Sequence, residues 1–206
     1  MNTHVAIAPT GRVYRDDNAR LETTTQVLAV RADAVALAES CFYPGGGGQP
    51  CDTGRLSVED GASHAVTDIR VDAGDVLWHV CEPPPDTSLA GQPVRLRVDA
   101  ARRAALTRHH TVLHVLNTVA LREFGALITG VQIGTDRSRI DFKVEDFGPD
   151  MCRALEAQVN AVLMRDHPLR ARSITEAGRG AVRIVAASAS LILSASSALD
   201  RPSTIS

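Results

Sequence analysis

A chain of 206 residues and 21.9 kDa has room for one large or two small domains. Apolar residues make up 44%, which excludes wholesale disorder, while aromatics at 3% require a core of Val, Leu, Ile and Ala. A net charge of −2 excludes a chain that holds nucleic acid by bulk charge alone. The charge is unevenly spread, however. Residues 1–99 carry 8 Arg against 14 acids, and residues 100–206 carry 14 basic residues against 10 acids, so the second half is the expected face for phosphate. Lys143 is the one lysine among 22 basic residues. Arginine suits two-pronged phosphate contacts, although a compositional bias of the genome produces the same preference.

The first residues, Met1 to Thr10, lack the basic-then-apolar pattern of a signal peptide, and no apolar run approaches membrane-spanning length. A cytoplasmic protein is expected. Its four cysteines (Cys41, Cys51, Cys81 and Cys152) form no Cys-x-x-Cys pair and are expected to be reduced.

Residues 12–98 read as short strands between turn signals: Val27–Val30, Val35–Leu37, Leu56–Val58, Ile69–Val71, Val76–Val80 and Val94–Val98. Their spacing predicts a small antiparallel barrel or sandwich, closed off by Pro83-Pro84-Pro85 and Gly91-Gln92-Pro93. At Asp99 the pattern changes. Asp99 is a good N-cap, and from Ala100 to Phe124 neither Gly nor Pro interrupts a helical recurrence of Leu106, Leu113, Leu116, Ala120 and Leu121. Strands are predicted at Leu127–Thr129 and Arg139–Phe142. A second helix is predicted from Pro149 to Met164, with Met151, Leu155, Val159, Val162 and Leu163 inward and Pro168 preventing its continuation. Val182–Val185 reads as a last strand, and residues 186–206, with 12 Ala or Ser, as an unpacked tail. The fold class is α+β: a small N-terminal antiparallel β-barrel over 1–98, an α+β domain over 99–185, and the atypical tail.

Three segments carry chemistry. In His110-Thr111-Val112-Leu113-His114 the two imidazoles stand four residues apart on one helical face, within reach of one metal ion; the same pair also reads as two surface histidines. His109 lies about 100° round the helix and is a poor co-ligand. In Phe42 to Pro50, four successive glycines, Gly45, Gly46, Gly47 and Gly48, precede Gln49; they suit close passage of backbone past a ligand, or a long flexible hairpin loop. No Lys-Ser/Thr follows, which excludes a nucleotide P-loop. In the third, Gln132-Ile133-Gly134-Thr135 leads into Arg139-Ile140-Asp141, which taken alone is a hairpin with a surface ion pair.

Together with Asp52-Thr53-Gly54, Val76 to Val80, and Val98-Asp99 with Arg102-Arg103, these segments resemble, in order over residues 10–185, the free-standing alanyl-tRNA editing proteins of the AlaX type, relatives of the editing domain of alanyl-tRNA synthetase. The resemblance implies a zinc-dependent deacylase that clears serine or glycine from mischarged tRNA for alanine in trans, with no membrane or DNA partner. A synthetase pocket for alanine rejects neither amino acid strongly, so a second hydrolytic site is needed. His110 and His114 would be metal ligands at the catalytic centre. Gly45, Gly46, Gly47, Gly48 and Gln49 would shape the amino-acid pocket, and Gln132, Gly134 and Thr135 would lie near the substrate. Arg139, with Arg102, Arg103 and Arg108, would meet phosphates of the acceptor end.

The sequence departs from that family in one respect. Its relatives complete the zinc site with Cys-x-x-x-His after the strand matching Val182–Val185; here the last cysteine is Cys152 and the last histidine His167. The Zn(2+) site is therefore expected to be incomplete, and the abrupt change after Val185 suggests a changed reading frame or a replaced C-terminus. A catalytically impaired tRNA-binding relic of the same fold is the alternative. A different metal-dependent hydrolase built on the same helix leaves the other motifs unexplained.

Overall fold

The computed structural model describes residues 7–59, 61–145 and 147–168; the expected strand Val182–Val185 and the Ala/Ser tail lie outside them. Two compact units divide between Ala105 and Leu106.

The first unit begins with a two-residue strand β1 (Gly11–Arg12), which pairs in parallel with β4 (Glu39–Ser40). The remaining strands are β2 (Glu22–Val30), β3 (Ala34–Leu37), β5 (Gly54–Val58), β6 (Ser63–Val71), β7 (Leu77–Glu82) and β8 (Pro93–Val98). These six close an antiparallel barrel in the order β2-β3-β7-β6-β5-β8. Closure leaves no unpaired edge in the ring. The alternation read from the sequence is the alternation that fills it: along β8, Val94, Leu96 and Val98 point inward while Arg95 and Arg97 face out. Leu37, Phe42, Leu56, Leu77 and Leu96 are fully enclosed, each burial contributing about 1.5–3 kcal/mol against an exposed side chain.

The helix α1 (Ala100–Phe124) starts where Asp99 caps it, its carboxylate accepting from the Arg102 N–H at 3.0 Å. It ends at Gly125, whose φ of +63° turns the chain so that the Ala126 N–H reaches the Ala120 carbonyl at 3.2 Å. In the second unit β9 (Leu127–Gln132) and β10 (Arg139–Lys143) form an antiparallel hairpin, and α2 (Pro149–Leu163) follows with Pro149 at its start. Val112, Val119, Ala120, Leu155, Val159 and Leu163 build its main core. Of the stripe expected on α1, Leu121 departs: it is half exposed, and Val112 and Val119 are buried instead. No helix among the described residues is long and apolar enough to cross a membrane.

Candidate functional site

In the first unit the glycine segment is a surface loop with a locked base. Gly45, Gly46, Gly47 and Gly48 all adopt positive φ, from +59° to +131°, a run that side-chain-bearing residues rarely adopt. Gly46 and Gln49 exchange backbone hydrogen bonds at 2.9 and 3.1 Å, and the Tyr43 hydroxyl donates to the Gly46 carbonyl at 3.2 Å. Tyr43 stands edge-on to Tyr14 at 5.6 Å; burial, and then Tyr14, raise its pKa.

Below the loop lies a buried ion pair. Asp52 is fully enclosed, and its carboxylate accepts from the Tyr43 N–H at 2.6 Å. Arg103, from the first turn of α1, donates through Nε to both Asp52 oxygens at 3.0 Å and through Nη2 to the Cys41 carbonyl at 2.8 Å. Its Nη1 reaches the Asn18 carbonyl at 2.9 Å. One guanidinium thereby holds the chain on both sides of the glycine run. Arg102 adds a bond from Nη2 to the Cys51 carbonyl at 3.2 Å. These partners correct the expectation for Arg103: buried and fully engaged, it has no face left for a phosphate.

Inside the barrel, Ser40 bonds His79 through Nε2 at 2.8 Å and accepts from the Phe42 N–H at 3.1 Å, three residues before the glycine run begins. His79 is completely buried, and burial lowers its pKa to about 4, so it is neutral at physiological pH.

In the second unit, His110 and His114 lie on α1 with their rings stacked, centroids 4.8 Å apart and planes within 12°. Burial, and then His114, lower the pKa of His110, keeping its lone pair available near neutrality. Two imidazoles on one helical face suit one side of a divalent cation. Parallel rings, however, aim their in-plane lone pairs alongside each other rather than at one point. Among the described residues no three His, Cys, Asp or Glu side chains gather as a metal site. A catalytic zinc takes three protein ligands, so the donor set fits half of such a site.

Gln132 ends β9 directly opposite Arg139 at the start of β10, and Gly134 and Thr135 lie in the turn between them. Gly134 is confined: a Cβ there would stand 2.5 Å from the Arg137 carbonyl oxygen. Arg139 pairs with Asp141 at 2.7 Å on the exposed surface. Two residues with no site role expected from the sequence tie this turn to the helix. His109 is buried and bonds Ser138 Oγ through Nδ1 at 2.8 Å, and the same oxygen accepts from the Gly134 N–H at 3.2 Å. The residue beside the histidine pair therefore anchors the Gly134 turn. The signal available for it was a third histidine in an apolar segment.

The barrel with its clasped glycine loop and the first residues of the helix, residues 12–102, match the family described as tRNA synthetases class II (A). The chain is 40% identical over 139 residues to the alanyl-tRNA editing protein AlaX-M of Methanosarcina acetivorans, which is 66% of this chain and 57% of that protein. It is 33% identical over 163 residues to the AlaX-M of Saccharolobus solfataricus, covering 78% and 67%. To the alanine–tRNA ligase of Methanoregula boonei it is 33% identical over 167 residues, 80% of this chain but 18% of the ligase. The chain belongs to the AlaX family of alanyl-tRNA editing proteins. It spans little more than half the length of the AlaX-M proteins of Methanosarcina acetivorans, Methanosarcina barkeri and Methanosarcina mazei.

Proposed function

We propose that the chain is an aminoacyl-tRNA deacylase, releasing serine or glycine from mischarged tRNA for alanine in trans. The observation that carries this reading is the 33% identity to a free-standing alanyl-tRNA editing protein over 78% of the chain, a stretch long enough to include residues from both units. The chemistry is consistent with the need: discrimination by one hydroxyl or one methyl is worth only about 1–3 kcal/mol in a binding pocket, so errors must be cleared afterwards by hydrolysis of the ester.

In this reading each segment has a part. The Gly45–Gly48 backbone, bare of side chains, lets the amino-acid moiety approach main-chain N–H groups, with Gln49 closing the pocket. Gln132, Gly134 and Thr135 bear on the substrate from the hairpin turn, and Arg139 meets a phosphate by exchanging its exposed Asp141 partner. His110 and His114 are two ligands for zinc, and burial lowers the pKa of His110 in favour of the metal-binding neutral ring. Bound there, zinc would supply carbonyl polarisation or a water of lowered pKa.

A two-donor set favours one competing reading, a chain that still binds tRNA but does not turn it over. Metal content and serine release separate the two. The deacylase reading expects zinc bound by the purified chain and lost in His110→Ala and His114→Ala, with serine freed from serylated alanine tRNA. Retained RNA binding with neither zinc nor serine release establishes the relic and overturns the deacylase.

A further inference from the structure

The outer face of the barrel carries an arrangement that packing does not explain. Arg55 on β5 stands directly opposite Arg97 on β8, and Ser57 stands opposite Arg95. On the other side of β8, Arg97 faces Glu22 and Arg95 faces Thr24 of β2. Like charges directly opposite in an antiparallel ladder destabilise it, and alternation places all three guanidinium groups outward, over a face whose inward residues are Leu56, Val94 and Leu96. The strands would close as well with any polar residue at these positions.

Four other arginines of this unit are answered by acids or a ring: Arg12 by Asp75, Arg70 by Asp33 and Asp68, Arg103 by Asp52, and Arg31 lies over the Trp78 ring at 3.5 Å, while Arg20 and Arg102 bond backbone carbonyls. On this face the answer is incomplete. Arg97 has one exposed partner in Glu22 at 3.1 Å, Arg55 donates to Ser63 Oγ at 3.2 Å, and Arg95 has no carboxylate partner among the described residues.

The Arg55–Arg97 rung is the shared wall of two concavities. One, of about 610 Å³, has Thr53 and Thr67 in its lining; the other, of about 570 Å³, has Thr24, Ser57 and Arg95. Each therefore pairs guanidinium forks with hydroxyl donors, the equipment for phosphate oxygens. A lone phosphate would satisfy the rung and leave Arg95 idle. Arg95 and Arg97 are two residues apart on one strand, roughly 6.7 Å, on the same face, which suits a repeating anion. Glu22 and Glu59 also line the second concavity and Asp99 the first, and Glu22 is the one of these paired with an arginine of the rung, Arg97.

We infer that Arg55, Arg95 and Arg97 form a track on the outer barrel face for the sugar-phosphate backbone of an RNA strand. The inference rests on the reading above that this chain binds tRNA, and adds to it a surface in the half whose overall charge is negative. The track works through phosphates, so it adds affinity without reading bases.

The test uses the full chain and a fluorescently labelled transcript of alanine tRNA, with binding followed by anisotropy over a range of salt. Arg55→Gln/Arg95→Gln removes two charges without breaking an ion pair, and its melting temperature verifies the fold. The expected result is an affinity loss of about tenfold or more, with the slope of log K against log salt shallower by about two. Arg70→Gln, on the same barrel and paired with Asp33, is expected to leave the slope unchanged. A double variant that binds with the wild-type affinity and slope overturns the track and leaves the deacylase reading standing. So does an equal loss in Arg70→Gln, which makes the effect one of bulk charge. Wild-type chain that binds no RNA overturns both. Phosphatidylserine vesicles captured by wild type but not by the double variant, with RNA binding unaltered, assign the face to a membrane surface and also overturn the track.

Discussion

Arg103 and Asp52 stand 51 positions apart in sequence, yet their pairing decides where the glycine loop begins and ends. Removing one partner leaves the other charge buried, which costs about 3–5 kcal/mol, whereas removing both costs less than the sum. Urea unfolding of Arg103→Ala, Asp52→Ala and the double variant is expected to show that non-additivity. No local pattern in the sequence announces the pair; each residue reads alone as a turn acid or a helix arginine, and Arg103 was accordingly expected at the surface. His79 gives a second prediction. With its folded pKa lowered to about 4 by burial, the unfolded chain binds the extra proton as pH falls below about 6.5. Stability from this residue is intact above 6.5 and is lost as pH drops toward 4. Comparing unfolding free energies at pH 7 and 4.5, the drop is expected to be smaller in His79→Gln by about 2–3 kcal/mol; equal drops would contradict the assignment.

Among the elements, the strands of the barrel and α1 were legible because their signals are local. Alternation in Val94 to Val98, the Asp99 cap, and the run without Gly or Pro to Phe124 each correspond to an observed boundary. β6 was legible only from Ile69, although it starts at Ser63; its earlier half mixes His64, Thr67 and Asp68, whose sides are set by barrel closure rather than by a repeating pattern. The glycine loop was recognised as special, but its conformation was not readable. Gly45 combines a φ of +92° with a Cβ position 3.1 Å from the Cys51 nitrogen, while at Gly47 a Cβ meets nothing within 4 Å at a φ of +59°. Gly47→Ala is therefore expected to cost about 1–2 kcal/mol through backbone conformation alone, and Gly45→Ala more, as read by thermal melting. Equal costs would show that crowding at Gly45 is relieved by loop movement.

At the scale of the molecule the two units carry separate cores, one inside the barrel and one between α1, the hairpin and α2. Leu155→Ala, in the second, is expected to cost about 2–5 kcal/mol. Hydrogen exchange should report that loss in the amides of α2 and the later turns of α1, with barrel protection retained. Charge counted along the chain pointed to the second half as the phosphate surface. The fold qualifies this, since Arg102 and Arg103 are bonded to the glycine-loop base while Arg55, Arg95 and Arg97 of the acidic half stand outward. The central claim, ester hydrolysis on alanine tRNA, is tested most directly by the single-turnover rate at which the full chain frees serine from seryl-tRNA, with zinc supplied. The account predicts release well above spontaneous hydrolysis and its loss in His110→Ala; a wild-type rate equal to the uncatalysed one, with the tRNA bound, would contradict it.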